Sequence, residues 1–234
     1  MIGPILLLVS WALLRLERKN LRVLGFDFPA QRLRQFGLGF LITGGAAAAQ
    51  QWSYAFSTGD TWNLNPTLTF GLLWQHARWV INSVLFEELL FRGYLLYQAI
   101  KFLGERRAVW LSAIVFGIYH WFTMGVLGNP VAMGYVFLLT GAFGGMCALA
   151  FAKTKSIAAP IGLHLGWNLI SYAVFSSGPL GAALLVPASG VARMKATGAS
   201  GLLLGFGLQL ALSGVVIAVI LRHRLRGNET MASS

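Results

Sequence analysis

Residues 79–102 read WVINSVLFEELLFRGYLLYQAIKF, and this stretch decides how the chain is interpreted. The run is apolar and long enough to span a bilayer, yet it contains Glu87, Glu88 and Arg92. The chain has only seven acidic residues, and two of them lie here side by side. A charge at the bilayer centre costs roughly 2.5–3.5 kcal/mol on insertion scales, so ionisable groups at this depth predict a functional site.

Helix geometry predicts a partner for one of the two carboxylates. Glu88 and Arg92 are four residues apart and share a helix face, whereas Glu87 points about 100° away from Glu88. We therefore expect Arg92 to pair with Glu88 and to leave Glu87 facing another helix. The alternative is an ion pair that only locks one helix to its neighbours.

Composition predicts the class of protein. Of the 234 residues, 56% are hydrophobic and 11% are charged, which indicates an all-α integral membrane protein with one domain, residues 1–234. A net charge of +11 can indicate nucleic-acid binding. Here the basic residues cluster beside the ends of apolar segments, which instead predicts the positive-inside pattern and contact with anionic lipids, and argues against nucleic acid as a partner.

The apolar segments predict a helix bundle with about seven transmembrane helices, at residues 2–14, 36–56, 79–102, 108–126, 131–152, 157–175 and 201–221. The first is short for a full span. Every short loop assigned to the cytoplasm carries at least two basic residues, such as Lys153 and Lys155 or the run 222–226. This pattern predicts an outside N-terminus and a cytoplasmic C-terminus. Residues 57–66 and 176–200 are then outer loops, the second of them partly re-entrant.

Two predicted spans carry further polar residues at a similar depth. His120 lies in the fourth span, and His164 and Asn168 share one face of the sixth. Counted from the cytoplasmic ends at about 1.5 Å per residue, Glu87, His120 and Asn168 lie roughly 20 Å deep, and His164 roughly 14 Å deep. We therefore expect these groups to form one cluster within the bundle.

A cluster of these residue types is suited to hydrolysis. A glutamate and a histidine can hold a water molecule and accept its proton, while a second histidine and an asparagine donate hydrogen bonds to an oxyanion. Alternatively, Glu87, His120 and His164 are candidate ligands of a metal ion, zinc being the natural candidate for such ligands. The sequence is compatible with either chemistry.

Three motifs in order carry a resemblance to a known family. Glu87-Glu88-x-x-x-Arg92, Phe116-x-x-x-His120 and His164-x-x-x-Asn168 resemble the motifs of the CPBP family of intramembrane proteases. That family includes the CAAX prenyl endopeptidase and bacterial Abi proteins linked to bacteriocin self-immunity. The resemblance covers roughly residues 80–175, which we assign as the catalytic core.

The resemblance implies an intramembrane endopeptidase filed among the metalloproteases, with either zinc or a metal-free, glutamate-activated water. In this reading Glu87 and His120 activate the water, His164 and Asn168 stabilise the oxyanion, and Glu88 with Arg92 supports the site. The implied substrate is a peptide or protein at the membrane, with a prenylated C-terminal peptide as one form, and the implied location is a bacterial plasma membrane.

Two other functions are compatible with the same residues. A non-catalytic membrane partner or bacteriocin-immunity protein would keep the fold without cleaving a substrate. A proton-coupled transporter would use intramembrane Glu and His side chains as a relay. Duplicated halves, which many transporters show, are not evident in the sequence.

Overall fold

The computed structural model describes the backbone of residues 3–27 and 29–232, with side chains as far as Arg222. The described residues are mainly helical, which confirms the all-α prediction. The helices are α1 (Gly3–Leu16), α2 (Ala30–Thr58), α3 (Phe70–Arg92), α4 (Tyr94–Leu103), α5 (Glu105–Thr123), α6 (Pro130–Thr154), α7 (Ala158–Asn168), α8 (Gly198–Leu202) and α9 (Leu208–Ala232). A short 3₁₀ helix covers Leu21–Leu24, and π-helical turns at Leu169–Val174 and Leu203–Gly207 extend α7 and join α8 to α9.

Two predicted features fall partly beyond these limits. The predicted first span begins at residue 2, which lies outside the described residues. In the basic run 222–226, only the side chain of Arg222 is described.

The predicted third span, residues 79–102, is wrong as a single helix. The structure breaks it at Gly93, whose backbone angles of φ −81° and ψ −133° are not helical. A Cβ atom at this position would lie 2.2 Å from the carbonyl oxygen of Leu89, so only glycine fits the break. Helix α3 instead begins nine residues earlier than predicted, where the Thr69 side chain accepts a hydrogen bond from the Leu72 amide at 3.1 Å. Arg92 is therefore the last residue of α3.

Close backbone contact positions α7 against α2. Cβ atoms at Gly162 and Gly166 would lie 2.2 and 2.4 Å from the carbonyl oxygens of Phe36 and Phe40. The Thr43 hydroxyl of α2 also donates a hydrogen bond to the Leu163 carbonyl at 2.6 Å. Small residues allow helices to approach in this way, and here they fix the helix that carries His164.

Helix α6 is the central helix of the bundle. Its apolar side chains belong to two buried clusters, one including Phe143 and Met146 with residues of α2 and α7, the other including Phe151 with residues of α1, α3 and α4. Its apolar residues therefore contact neighbours on several sides, chiefly α5, α7 and α9.

The two predicted outer loops are joined by a small antiparallel sheet that the sequence did not predict. Strand β1 (Trp62–Leu64) pairs with β2 (Leu185–Pro187), with Asn63 opposite Val186. The Asn65 side chain adds a hydrogen bond to the Ala183 carbonyl at 2.8 Å. The segment after α7 is thereby tied to the loop that follows α2.

Among the described residues, two helical segments are long and apolar enough to cross a membrane, Pro130–Thr154 and Gly198–Arg222. Helix α1 is apolar but has only 14 residues. Helix α3 is long, but Glu87, Glu88 and two arginines reduce its hydropathy. The polar residues that build the site are therefore also the reason that this helix does not have the composition of a simple membrane span.

Candidate active site

A buried ion pair forms the base of the site. Arg92 Nη1 lies 3.1 Å from Glu88 Oε1, and both side chains are 0% exposed. Arg92 Nη2 donates to the Gly144 carbonyl at 3.0 Å, and its guanidinium lies 4.1 Å from the centre of the Phe116 ring. A buried charge needs this kind of compensation, because removing one partner leaves the other charge uncompensated. The pair that helix spacing predicts is thus present and links three helices.

Glu88 also orients His164. The same Oε1 atom accepts a hydrogen bond from His164 Nδ1 at 2.7 Å. A carboxylate at Nδ1 fixes the tautomer and the orientation of the ring, and it stabilises the imidazolium form when the ring is protonated. Arg92, Glu88 and His164 therefore form a continuous chain that ends at His164 Nε2.

His120 is oriented by its own helix. His120 Nδ1 lies 2.8 Å from the Phe116 carbonyl oxygen, four residues earlier on α5. A carbonyl oxygen only accepts hydrogen bonds, so Nδ1 carries the proton and Nε2 of the neutral ring is an acceptor. The side chain is buried and its ring packs against that of Phe116.

Glu87 lies between the two histidines. Its Oε2 atom is 4.0 Å from His120 Nε2 and 3.9 Å from His164 Nε2. Both separations exceed hydrogen-bond length, and Oε2 is a buried atom with no hydrogen-bond partner among the described residues. A buried carboxylate oxygen in this position calls for a donor between it and the rings.

The separations fit a bridging water better than a tetrahedral zinc ion. Ligands about 2.1 Å from a tetrahedral zinc would lie about 3.4 Å apart, closer than the glutamate and histidine atoms observed here. If a water oxygen lies about 2.8 Å from each of two atoms that are 4.0 Å apart, the angle between the two atoms at that oxygen is about 90°. This is near the angle between the two O–H bonds of water. Among the described residues, no group of three or more His, Cys, Asp or Glu side chains is arranged to hold a metal ion. In this arrangement Glu87 Oε2 thus lies further from the two histidine nitrogens than a tetrahedral zinc ion would require.

Asn168 follows His164 by one helical turn and lines the same cavity. This cavity has a volume of about 690 Å³, and Glu87, His120 and His164 also line it. Trp79 and Tyr172, whose ring centres are 6.3 Å apart, form part of its wall. The four residues predicted as catalytic therefore open onto one space, with room for a peptide segment beside them.

A family of known proteins matches the part of the chain that carries the three motifs. Residues 69–170 match the family model described as type II CAAX prenyl endopeptidase Rce1-like. The predicted resemblance to the CPBP family is confirmed. The matched segment includes all three motifs, although it is less than half of the 234 residues. The search of curated proteins and the search of solved structures each found no match. The family match and the two long apolar helices together indicate a membrane protein with a protease-like fold.

Three further residues of the site, Tyr172, Gly144 and Arg193, were not predicted from the sequence. Tyr172 lines the cavity and follows His164 and Asn168 at the same four-residue spacing, so helix periodicity could have identified it. Gly144 makes room for Arg92, since a Cβ there would lie 2.9 Å from Nη2. Arg193 lines the cavity from a distant loop, and no local pattern in the sequence predicts that position.

Proposed function

We propose that this protein is an intramembrane endopeptidase of CAAX-protease type, which hydrolyses a peptide bond with an activated water. The observation that supports this proposal best is the position of Glu87 Oε2, 3.9–4.0 Å from both imidazole Nε2 atoms and without a hydrogen-bond partner among the described residues. These separations suit a water held between Glu87 and His120.

The first step is proton removal from that water. Glu87 accepts the proton while His120 Nε2, an acceptor in the neutral ring, helps to hold the water. The hydroxide then attacks the carbonyl carbon of the substrate, and the electrons of the carbonyl double bond move to its oxygen. The negative charge passes from Glu87 to this oxyanion.

The second step is stabilisation of the oxyanion. The imidazolium form of His164 donates from both ring nitrogens: Nδ1 donates to Glu88, and Nε2 donates to the oxyanion. The Asn168 amide, one turn further along the helix wall, supplies a second donor. Glu88 and Arg92 are positioning residues here, since they act through His164.

The last step breaks the peptide bond. The tetrahedral intermediate collapses, the C–N bond breaks, and Glu87 returns its proton to the leaving nitrogen. The products are a new carboxyl end and a new amino end. No step requires a metal ion, although the zinc chemistry of the metalloprotease class remains the alternative that metal analysis of the purified protein would test.

We also propose that the chain crosses a bacterial plasma membrane seven times, with α3 alone as the third span and with the N-terminus outside. The predicted cytoplasmic loops contact one another, which supports a common side for them. Glu17 lies 3.3 Å from Lys19 and 3.5 Å from Lys101, and Arg32 donates to the Thr154 carbonyl at 2.9 Å. The residues in these contacts lie at or next to the ends of α1, α2, α4 and α6. The basic side chains among them are suited to contact with anionic lipids.

Cleavage of peptides in proteoliposomes tests the proposed function. Substrates are fluorogenic peptides of apolar sequence, with and without a prenylated cysteine near the C-terminus. We expect wild-type protein to release product and the Glu87→Gln variant to release none. Ion flux without cleavage would favour the transporter, and neither flux nor cleavage would favour the non-catalytic partner.

A further inference from the structure

A second, smaller cavity adjoins the first. It has a volume of about 250 Å³, and five residues line both cavities: Trp167, Tyr172, Ser177, Arg193 and Gln209. Ser171 lines only this second space. Because Ser171 follows His164 by seven residues, it lies about 10 Å further along the same helical segment. The second cavity is therefore an extension of the catalytic cavity toward the outer loops.

This second cavity is positively charged. Arg193 and Lys195 both line it, and none of the described residues that line it is acidic. Neither basic side chain forms an ion pair with another described residue, although Arg193 Nη2 donates to the Gly178 carbonyl at 2.8 Å. Two cations without a counter-ion at a cavity wall favour an anionic ligand.

A buried hydroxyl on the same wall also lacks a partner. Ser171 is 3% exposed, and its Oγ atom makes no hydrogen bond among the described residues. Buried hydroxyls are normally paired, since leaving one unpaired carries a desolvation penalty. A ligand oxygen in the second cavity would be a suitable acceptor for this donor.

The segment with the two basic residues is fixed in place. Met194, between them, is buried in a cluster with Ala55, Trp62 and Phe175. The preceding part of this segment is held by the pairing of β1 with β2. The backbone that carries Arg193 and Lys195 is thus held at Met194 and at the preceding strand, while both basic side chains remain exposed at the cavity.

We propose that Ser171, Arg193 and Lys195 form a carboxylate site that binds the C-terminal carboxylate of the peptide substrate. A carboxylate supplies two acceptor oxygens, which suit the hydroxyl and the two cationic donors. At about 250 Å³, the second cavity is below the usual size of a small-molecule site, which suits a chain end better than a continuing chain. This inference rests on the proposed function, because it takes the ligand to be the peptide that is cleaved next door.

Peptide binding tests the carboxylate site without relying on turnover. The probe is an eight-residue apolar peptide with an N-terminal fluorophore, and three forms of it are made. The first has a free C-terminal carboxylate and the second has a C-terminal amide. The third also has a C-terminal amide, but its seventh residue is glutamate. Binding is measured by anisotropy in lipid nanodiscs, with the Glu87→Gln variant to prevent cleavage. We expect the free acid to bind at least 10-fold more tightly than the plain amide.

Substitutions assign the preference to the proposed residues. In the Glu87→Gln background, adding Arg193→Gln and Lys195→Gln should bring the affinity for the acid down to that for the amide. Arg193→Lys should retain most of the preference, and Arg107→Gln, which removes an exposed charge elsewhere, should retain all of it. Melting temperatures of the variants show whether each one is folded.

Two results would overturn the carboxylate site: equal binding of acid and amide, or a preference that persists in a folded variant lacking both cations. Tight binding of the amidated peptide that contains glutamate would also overturn the proposal, because the site would then bind acidic side chains and not the end of the chain. Wild-type cleavage of the acid peptide is scored separately. Selective binding without cleavage would overturn the proposed function and leave the carboxylate site standing.

Discussion

Replacement of Arg92 by alanine is expected to destabilise the protein strongly. The substitution leaves the Glu88 carboxylate, which is 0% exposed, without its cationic partner at 3.1 Å. Breaking a buried ion pair by removing one partner typically costs about 3–5 kcal/mol. For a chain of about this size, 1 kcal/mol shifts the melting temperature by about 2–4 °C, so Arg92→Ala should lower it by about 6–20 °C.

Two further variants make this prediction specific to the buried charge. Arg78→Ala removes an exposed arginine from the same helix and should change the melting temperature by less than about 2 °C. The double variant Glu88→Gln, Arg92→Met removes both charges and should recover much of the lost stability, because no unpaired charge remains. It should nevertheless stay inactive, since His164 loses its anionic partner.

The assay is thermal unfolding in detergent, followed by intrinsic tryptophan fluorescence, with peptide cleavage measured on the same preparations. An Arg92→Ala variant that melts within 2 °C of wild type would refute the reasoning about the buried pair. A double variant as active as wild type would refute the positioning role of Glu88.

The remaining predictions concern helix packing and the outer loops. Gly162→Ala, which places a Cβ 2.2 Å from the Phe36 carbonyl, should cost about 1–3 kcal/mol, whereas Gly45→Ala, with nothing within 4 Å, should not destabilise; melting temperatures compare them. The Ser189 hydroxyl, which donates to Asp60 at 2.5 Å, lowers the pKa of that carboxyl below its usual 3.8. Stability from this contact is present above about pH 4 and lost as the pH falls further, so Ser189→Ala should flatten the dependence of melting temperature on pH in this range. An unchanged pH dependence in that variant would argue against the contact.

Residues that are close in sequence are the ones whose placement could be predicted. The i, i+4 rule places Arg92 beside Glu88, and depth counting puts Glu87, His120 and Asn168 at one level, with His164 nearer the cytoplasmic end. The pairing of Glu88 with Arg92 needs only the regular geometry of one helix, whereas the depth of Glu87 was counted through the break at Gly93. The motif residues lie on such helices, which is why they could be selected before the fold was known.

The features that sequence reasoning missed depend on a single backbone conformation or on distant contacts. The break at Gly93 lies within an apolar run that reads as one helix, and only the contact with the Leu89 carbonyl excludes a side chain there. Strands β1 and β2 have three residues each and are over 100 residues apart in the chain. Their pairing brings the loop with Arg193 toward the cavity. Because this pairing is between distant parts of the chain, no pattern in the sequence near Arg193 predicts its position.

The most direct test of the proposed role of Glu87 is peptide cleavage in ¹⁸O-labelled water by wild-type protein and by the Glu87→Gln variant. A melting curve first shows that each protein is folded. The Glu87 carboxylate is proposed to take the proton from the attacking water, so wild type should yield a product with ¹⁸O in its new carboxyl end, and the variant should yield none. A folded Glu87→Gln variant that cleaves at the wild-type rate, or a wild type that yields no labelled product, would contradict the account.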